Sequence, residues 1–360
     1  MSDVLFASVK FEKYESGATL PSKFERLLDA MEFGDVLKGK HVPIKMHVGR
    51  GIGFTTIHPM FIKILIDKIK SLGGKPYVTD QTVSGAASRG YTAEALGAPV
   101  VDVCGVMGKY FYEKDVDFKS LKNVDVAGHI YDADVLIDLS HIKGHGVCGY
   151  GGACKNLSMG AVTDRTRRQI HGLEGTIDWN SDTCLHCGAC IESCNHDANW
   201  FDENGVYGVN FHHCTNCQHC VKVCPNGSIS MGEKMYVDFQ KGMAIATEKV
   251  LESFLPEHVF YINFLTNITA ICDCWGMSTP ALVPDIGIMA SRDIVSIERA
   301  SIDAIKLENL ISDGVPAGIN LSAGEGHLFE RLHGKNPFIQ LDELEKLGLG
   351  EQKYSLVEVK

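Results

Sequence analysis

Eight cysteines between residues 184 and 224 fall into one spacing used twice: Cys184-x2-Cys187-x2-Cys190-x3-Cys194, then Cys214-x2-Cys217-x2-Cys220-x3-Cys224. Three thiolates at two-residue gaps share one tight loop and can reach three irons of a cubane, and a fourth cysteine carried onward by a turn reaches the neighbouring cluster. Structural zinc uses separated Cys-x2-Cys pairs and four ligands per ion, a different pattern. The repeat therefore predicts two 4Fe-4S clusters with crossed ligands. Cys184, Cys187, Cys190 and Cys224 hold one; Cys214, Cys217, Cys220 and Cys194 hold the other. Pro225 follows the second copy, whereas Asn195 stands at the matching place in the first. A disulfide framework is the competing use of 13 cysteines. That use belongs to small secreted chains, and the start Met1-Ser2-Asp3-Val4-Leu5 has no basic region leading into a long apolar one.

The cysteine loops occupy a stretch, 176–234, in which apolar periodicity gives way to Cys, His and Asn. A chain of 360 residues exceeds the roughly 250–300 that one core usually serves, so a larger body must surround this stretch. Short apolar runs at 42–48, 77–79, 100–103 and 135–139, separated by helix-sized spacers, read as parallel strands joined by helices. Between the first two, Phe61, Ile64, Leu65 and Ile69 share one face of a helix over 60–72 that Gly73-Gly74 ends. After the insert, a helix over 243–254, strands at 259–264 and 286–290, and a long amphipathic helix over 294–310 are expected. The fold class is α/β, a mostly parallel sheet with flanking helices, interrupted by a small ferredoxin-like α+β module. The expected organisation is 1–175 for the first part of the body, 176–234 for the two-cluster insert, 235–330 for the second part of the body and 331–360 for a surface tail.

The cysteine spacing resembles that of two-cluster bacterial ferredoxins. The body resembles the family catalogued as domain of unknown function 362. The likeness lies in Gly73-Gly74-Lys75-Pro76-Tyr77-Val78-Thr79-Asp80, in the run from Asp132 to His145, in Gly149-Tyr150-Gly151-Gly152-Ala153-Cys154-Lys155-Asn156-Leu157-Ser158-Met159-Gly160, and in Val283-Pro284-Asp285-Ile286-Gly287. It implies a redox role. A fainter likeness joins His145-x3-Gly149-x-Gly151-Gly152-x-x-Lys155 and His171 to the amino-terminal domain of nickel-pincer lactate racemases. That likeness implies a lysine able to carry a cofactor, histidines acting as acid/base groups or metal ligands, and a pocket at this place.

Elementary topology points there too, because a parallel sheet opens its ligand crevice at the carboxyl ends of its strands. The segment after Leu139 delivers His141, His145, Cys148, Cys154 and Lys155, with glycines that permit close backbone approach to a ligand. The candidate catalytic groups are Lys155, His145, His171, Cys272 and Cys274; Arg50, Asp80, Gly151 and Gly152 are candidates for binding a cofactor or a further metal in the body. In Cys272-Asp273-Cys274 an extended backbone turns both thiols to one side and Asp273 to the other. A bridge between thiols so close in sequence is not expected, because its ring is strained. His47-x2-Arg50-Gly51-x-Gly53 lacks the full dinucleotide fingerprint, so no NAD is predicted.

Forty-five acids against 34 bases, a formal charge of −11 with no basic run, exclude nucleic acid as a partner. No segment approaches about 18 consecutive apolar residues, so a cytoplasmic protein without a membrane span is expected. The leading function is an iron-sulfur oxidoreductase that draws electrons from a redox partner protein and passes them to a small molecule in the crevice. The alternatives are a non-catalytic electron carrier or adaptor, and a cluster or metal assembly factor.

Overall fold

The computed structural model describes residues 1–359 except 175–176, 195–196, 211–212, 215–217, 232–235, 317–318, 320 and 322–325. Its centre is an eight-stranded sheet in the order Tyr354–Glu358, Ser2–Ser8, Gly287–Ser291, Val259–Leu265, Leu136–His141, His41–Met46, Lys75–Asp80, Val100–Asp102. The strand Gly287–Ser291 runs antiparallel to both neighbours, and every other pair is parallel.

The central strands are buried along nearly their whole length because helices cover both faces. Successive residues feed opposite layers. Phe260, Ile262 and Phe264 point into a core with Phe24, Leu27, Ile62 and Leu65 from the helices Leu20–Ala30 and Pro59–Ser71. Val259, Tyr261 and Leu265 point into the other core, shared with the helices Ala153–Gly160, Tyr236–Leu251, Ile294–Ala304 and Ile339–Lys346. The helix Pro59–Ser71 shows how locally these elements are specified. Its proline opens the first turn, the His58 side chain accepts from Met60 N at 3.1 Å, and Gly73 just past the end has φ of +80°.

The cysteine-rich segment forms two short antiparallel pairs, Ile177–Trp179 with Ile229–Met231 and Asn199–Phe201 with Tyr207–Val209, and two short helices, Ala189–Glu192 and His219–Val223. Each helix carries the third cysteine of one motif inward. Among the described residues the hydrophobic cluster of this unit is small, with Cys190, Tyr207, Cys220 and Ile229 at its buried centre.

Two expectations need correction, and one element was missed. The segment 331–360 is no surface tail: Leu341 and Leu344 are fully buried, and Tyr354–Glu358 pairs in parallel with Ser2–Ser8 at the sheet edge. Its Gly- and Lys-rich composition masked two short amphipathic stretches. The helix expected over 294–310 stops at Ala304, where Ile305 turns to extended backbone and enters the core. The hairpin of Phe111–Phe118 with Leu121–Ala127 was not foreseen, its alternation being hidden by six charged residues. Among the described residues no helix is long and apolar enough to cross a membrane.

Candidate functional site

The carboxyl ends of the parallel strands open onto one crevice of about 540 Å³. His47 and Arg50 reach it from beyond Met46, Gln81 and Thr82 from beyond Asp80, Cys104 to Gly108 from beyond Asp102, and Cys272 to Cys274 from beyond Leu265. The helices Ala153–Gly160 and Asp164–His171 close the far side with Lys155, Asn156, Met159 and Arg167. At the lip Val106 and Met107 stand exposed to solvent.

Under the crevice lie charges that only mutual pairing makes tolerable. Lys45 Nζ is 3.0 Å from Asp80 Oδ1 and donates to Asn156 Oδ1 at 2.6 Å. Asn156 Nδ2 donates in turn to Asp138 Oδ2 at 2.9 Å. Asp80 Oδ2 faces His47 Nδ1 at 2.9 Å and accepts from Val48 N at 3.1 Å. Burial alone would raise the Asp80 carboxyl, but Lys45 and His47 hold it well below the usual carboxylate range. Asp138 lacks a cation so close, and burial pushes it up to about 7. Gly160 is required here, since a Cβ would strike the Lys45 ammonium.

A second buried set fixes the loop after Leu265. Asp273 Oδ1 accepts from Lys143 Nζ at 2.7 Å, Asp273 Oδ2 lies 3.0 Å from His141 Nδ1, and His141 Nε2 donates to Thr266 O at 2.6 Å. His141 is thus held at both nitrogens. Lys143 also donates to Thr55 O and Oγ1. With Asp273 tied back, Cys272 and Cys274 line the crevice on either side of it. The backbone there is a 3-10 turn over Asp273–Trp275 with Cys272 as its cap, in place of an extended segment.

In that turn the two sulfurs are joined as a disulfide, which corrects the expectation of separate thiols. The 3-10 turn draws the Cα atoms to 5.4 Å, well inside the range a disulfide spans. Lys155 Nζ sits 3.7 Å from each sulfur. A ring nitrogen of His145 and the two sulfurs lie within 4.8 Å of one another. When reduced, this set offers an imidazole and two thiolates, donors suited to a soft metal. Burial lowers the Lys155 ammonium from its ordinary value.

Of the residues named from sequence, Lys155, His145, Cys272 and Cys274 therefore come together, and Arg50, Asp80, Gly151 and Gly152 line the same crevice. His171 does not: it ends its helix beside Glu174, with its ring against Phe239. The glycines have structural causes. A Cβ on Gly152 would meet the carboxylate of Glu298, which accepts from Ala153 N and Tyr150 Oη and so caps the helix Ala153–Gly160. Gly51 lets Ile52 N and Gly53 N donate to Gly276 O at 2.7 and 3.1 Å, docking two crevice loops backbone to backbone. Cys148 and Cys154 are fully buried, and burial pushes Cys148 up to about 12, so both behave as small core groups. Sequence reasoning missed Lys45, Asp138 and Arg167. A charge inside an apolar strand, as in Ile44-Lys45-Met46 and Ile137-Asp138-Leu139, was the available signal for the first two.

In the module, Cys184, Cys187, Cys190 and Cys224 surround one small cavity, so the last cysteine of the second motif sits with the first triad. Cys184, Cys194 and Cys224 accept backbone N–H groups from His186, Ala198 and Ser228 at 3.4, 3.3 and 3.2 Å. Cys220 is buried at the centre of the unit beside Cys190, and Cys217 lies outside the described residues. Unbridged thiols that receive N–H donors are a donor set that fits iron-sulfur clusters. The module meets the body beside the loop that bears Cys272 and Cys274: the rings of His213 and Trp275 stack with centroids 5.0 Å apart and planes 8° apart.

The architecture is that of an α/β protein with a ferredoxin-like segment beside a polar crevice. The chain belongs to the family described as Domain of unknown function (DUF362), matched over residues 42–303. A ferredoxin of Pyrobaculum islandicum is 39% identical over 88 residues, 22% of this chain and 82% of that protein. The formate dehydrogenase-O iron-sulfur subunit of Escherichia coli is 33% identical over 94 residues, 23% of this chain but only 28% of the subunit. Among solved structures, the lactate racemase apoprotein of Thermoanaerobacterium thermosaccharolyticum matches 74% of this chain and 51% of its own at 12% identity, with a TM-score of 0.34.

Proposed function

We propose that this protein is an iron-sulfur oxidoreductase in which residues 176–234 hold two 4Fe-4S clusters and supply low-potential electrons to a small molecule bound in the crevice. The observation that carries this reading is the His213–Trp275 stack, which sets the second cysteine loop directly on the loop that bears Cys272 and Cys274. A pure carrier would need an exposed cluster edge and no such contact. Cys184, Cys187, Cys190 and Cys224 would hold one cluster, and Cys214, Cys217, Cys220 and Cys194 the other. When bound, the clusters supply reversible one-electron transfer.

The chain's own residues do the rest. Lys155 and Arg167 offer positive charge to an anionic substrate, with Arg167 anchored to Gln81 Oε1 at 2.7 Å. His47, steered by Asp80, and His145 are imidazoles able to give or take a proton. A redox partner protein delivers the electrons. Potentiometric titration followed by electron paramagnetic resonance tests the reading. Midpoints below the hydrogen electrode's zero are expected, because a net charge of −11 disfavours an added electron; both midpoints above zero contradict it.

A further inference from the structure

We infer that Cys272 and Cys274 are a redox-active pair at the crevice, opened and closed as a disulfide by electrons that arrive through the stacked rings of His213 and Trp275. The inference rests on the electron-transfer reading above and names its first acceptor.

Four observations converge. The disulfide encloses only Asp273, and the stabilisation that a bridge gains from restricting the unfolded chain grows with the length of the loop it closes. A bridge this short is poorly placed as a staple. Next, a cation attends it: Lys155 Nζ lies 3.7 Å from both sulfurs, where it stabilises thiolate once the bond is broken. The loop also keeps its shape without the bridge, because Asp273 is tied to His141 and Lys143 and Gly276 O accepts from Ile52 N and Gly53 N. Finally, a continuous path exists. His213 is bonded to Cys214, Trp275 is bonded to Cys274, and the two rings lie face to face at 5.0 Å.

The step balances as follows. Two electrons, given one at a time by a low-potential donor protein, break the S–S bond, and the donor is oxidised twice. One sulfur takes a proton from crevice water and the other stays a thiolate paired with the Lys155 ammonium. The pair then gives both electrons and its one proton to a bound small molecule, which takes a second proton from solvent, and the bridge closes. One-electron delivery thereby becomes two-electron chemistry, and the substrate class is a small anion reducible by a dithiol.

Anaerobic alkylation with iodoacetamide, read by peptide mass spectrometry on cluster-loaded protein, tests this. The Cys272–Cys274 peptide should carry no label before sodium dithionite and two labels after it. His213→Ala and Trp275→Ala should slow the labelling at least about tenfold, about 1.4 kcal/mol of barrier, while Trp275→Phe retains it and cluster bleaching is unchanged in all three. Labels present before reduction, or equal rates in every variant, overturn the relay. Clusters that bleach while the bridge stays closed overturn the relay and leave the electron-transfer reading standing; clusters that never bleach overturn that reading as well.

Discussion

The body and the cysteine module hold their functional groups by opposite means. Around the crevice, Lys45, Asp80, Asp138, Lys143, Asp273 and Glu298 are buried in mutual contacts between two full hydrophobic layers, so the site is set by packing before anything binds. Among the described residues the module's hydrophobic cluster has four buried members, two of them cysteines. A unit that small rarely folds on apolar burial alone, and on the function proposed above metal-ligand bonds would stand in for a core. One region is built to receive; the other would be assembled by what it carries.

Removing the metal should separate the two most sharply. Chelating the iron, or Cys190→Ser, should expose the amides of 177–231 to hydrogen exchange while the central strands stay protected. Loss of protection in both would mean that the body, too, depends on the module. A smaller effect, confined to the body, is expected from Asp80→Ala, which leaves Lys45 buried with only Asn156 and should cost roughly 3–5 kcal/mol in denaturant unfolding. Lys45→Met in the same chain should recover most of it.

The body's buried acids give a third contrast, in pH. Burial pushes Glu298 from 4.5 up to about 7 and Asp138 from 3.8 up to about 7. The folded state therefore holds protons that the unfolded chain has lost, and stability should fall as pH rises from about 4 to about 7. Each group contributes on the order of 3–4 kcal/mol at most. Glu298→Gln should flatten the slope, measured by unfolding at stepped pH. The smallest stability change belongs to Lys155→Ala, under about 1 kcal/mol, with iron content unchanged and turnover or ligand binding lost. Unaltered binding would return Lys155 to a bland role beside the sulfurs.

The same contrast explains what could be read from the sequence. The module was legible because ligand spacing is local: four cysteines within eleven residues state their chemistry without the fold, and the crossing of Cys224 to the first triad follows from it. The parallel strands were legible as apolar runs, and their carboxyl ends located Lys155, His145, Cys272 and Cys274. What stayed hidden is non-local. Nothing near Gly152 announces Glu298, 146 positions on, whose carboxylate caps the helix and requires the glycine. The stack of His213 on Trp275 and the 3-10 turn that brings two cysteines into a bridge depend on how loops far apart in the chain are seated.

Iron and acid-labile sulfide analysis of anaerobically purified protein tests the central claim most directly, because both four-cysteine sets must be filled for the module to exist as described. About eight irons and eight sulfides per chain are predicted. A value near four irons would contradict the two-cluster account.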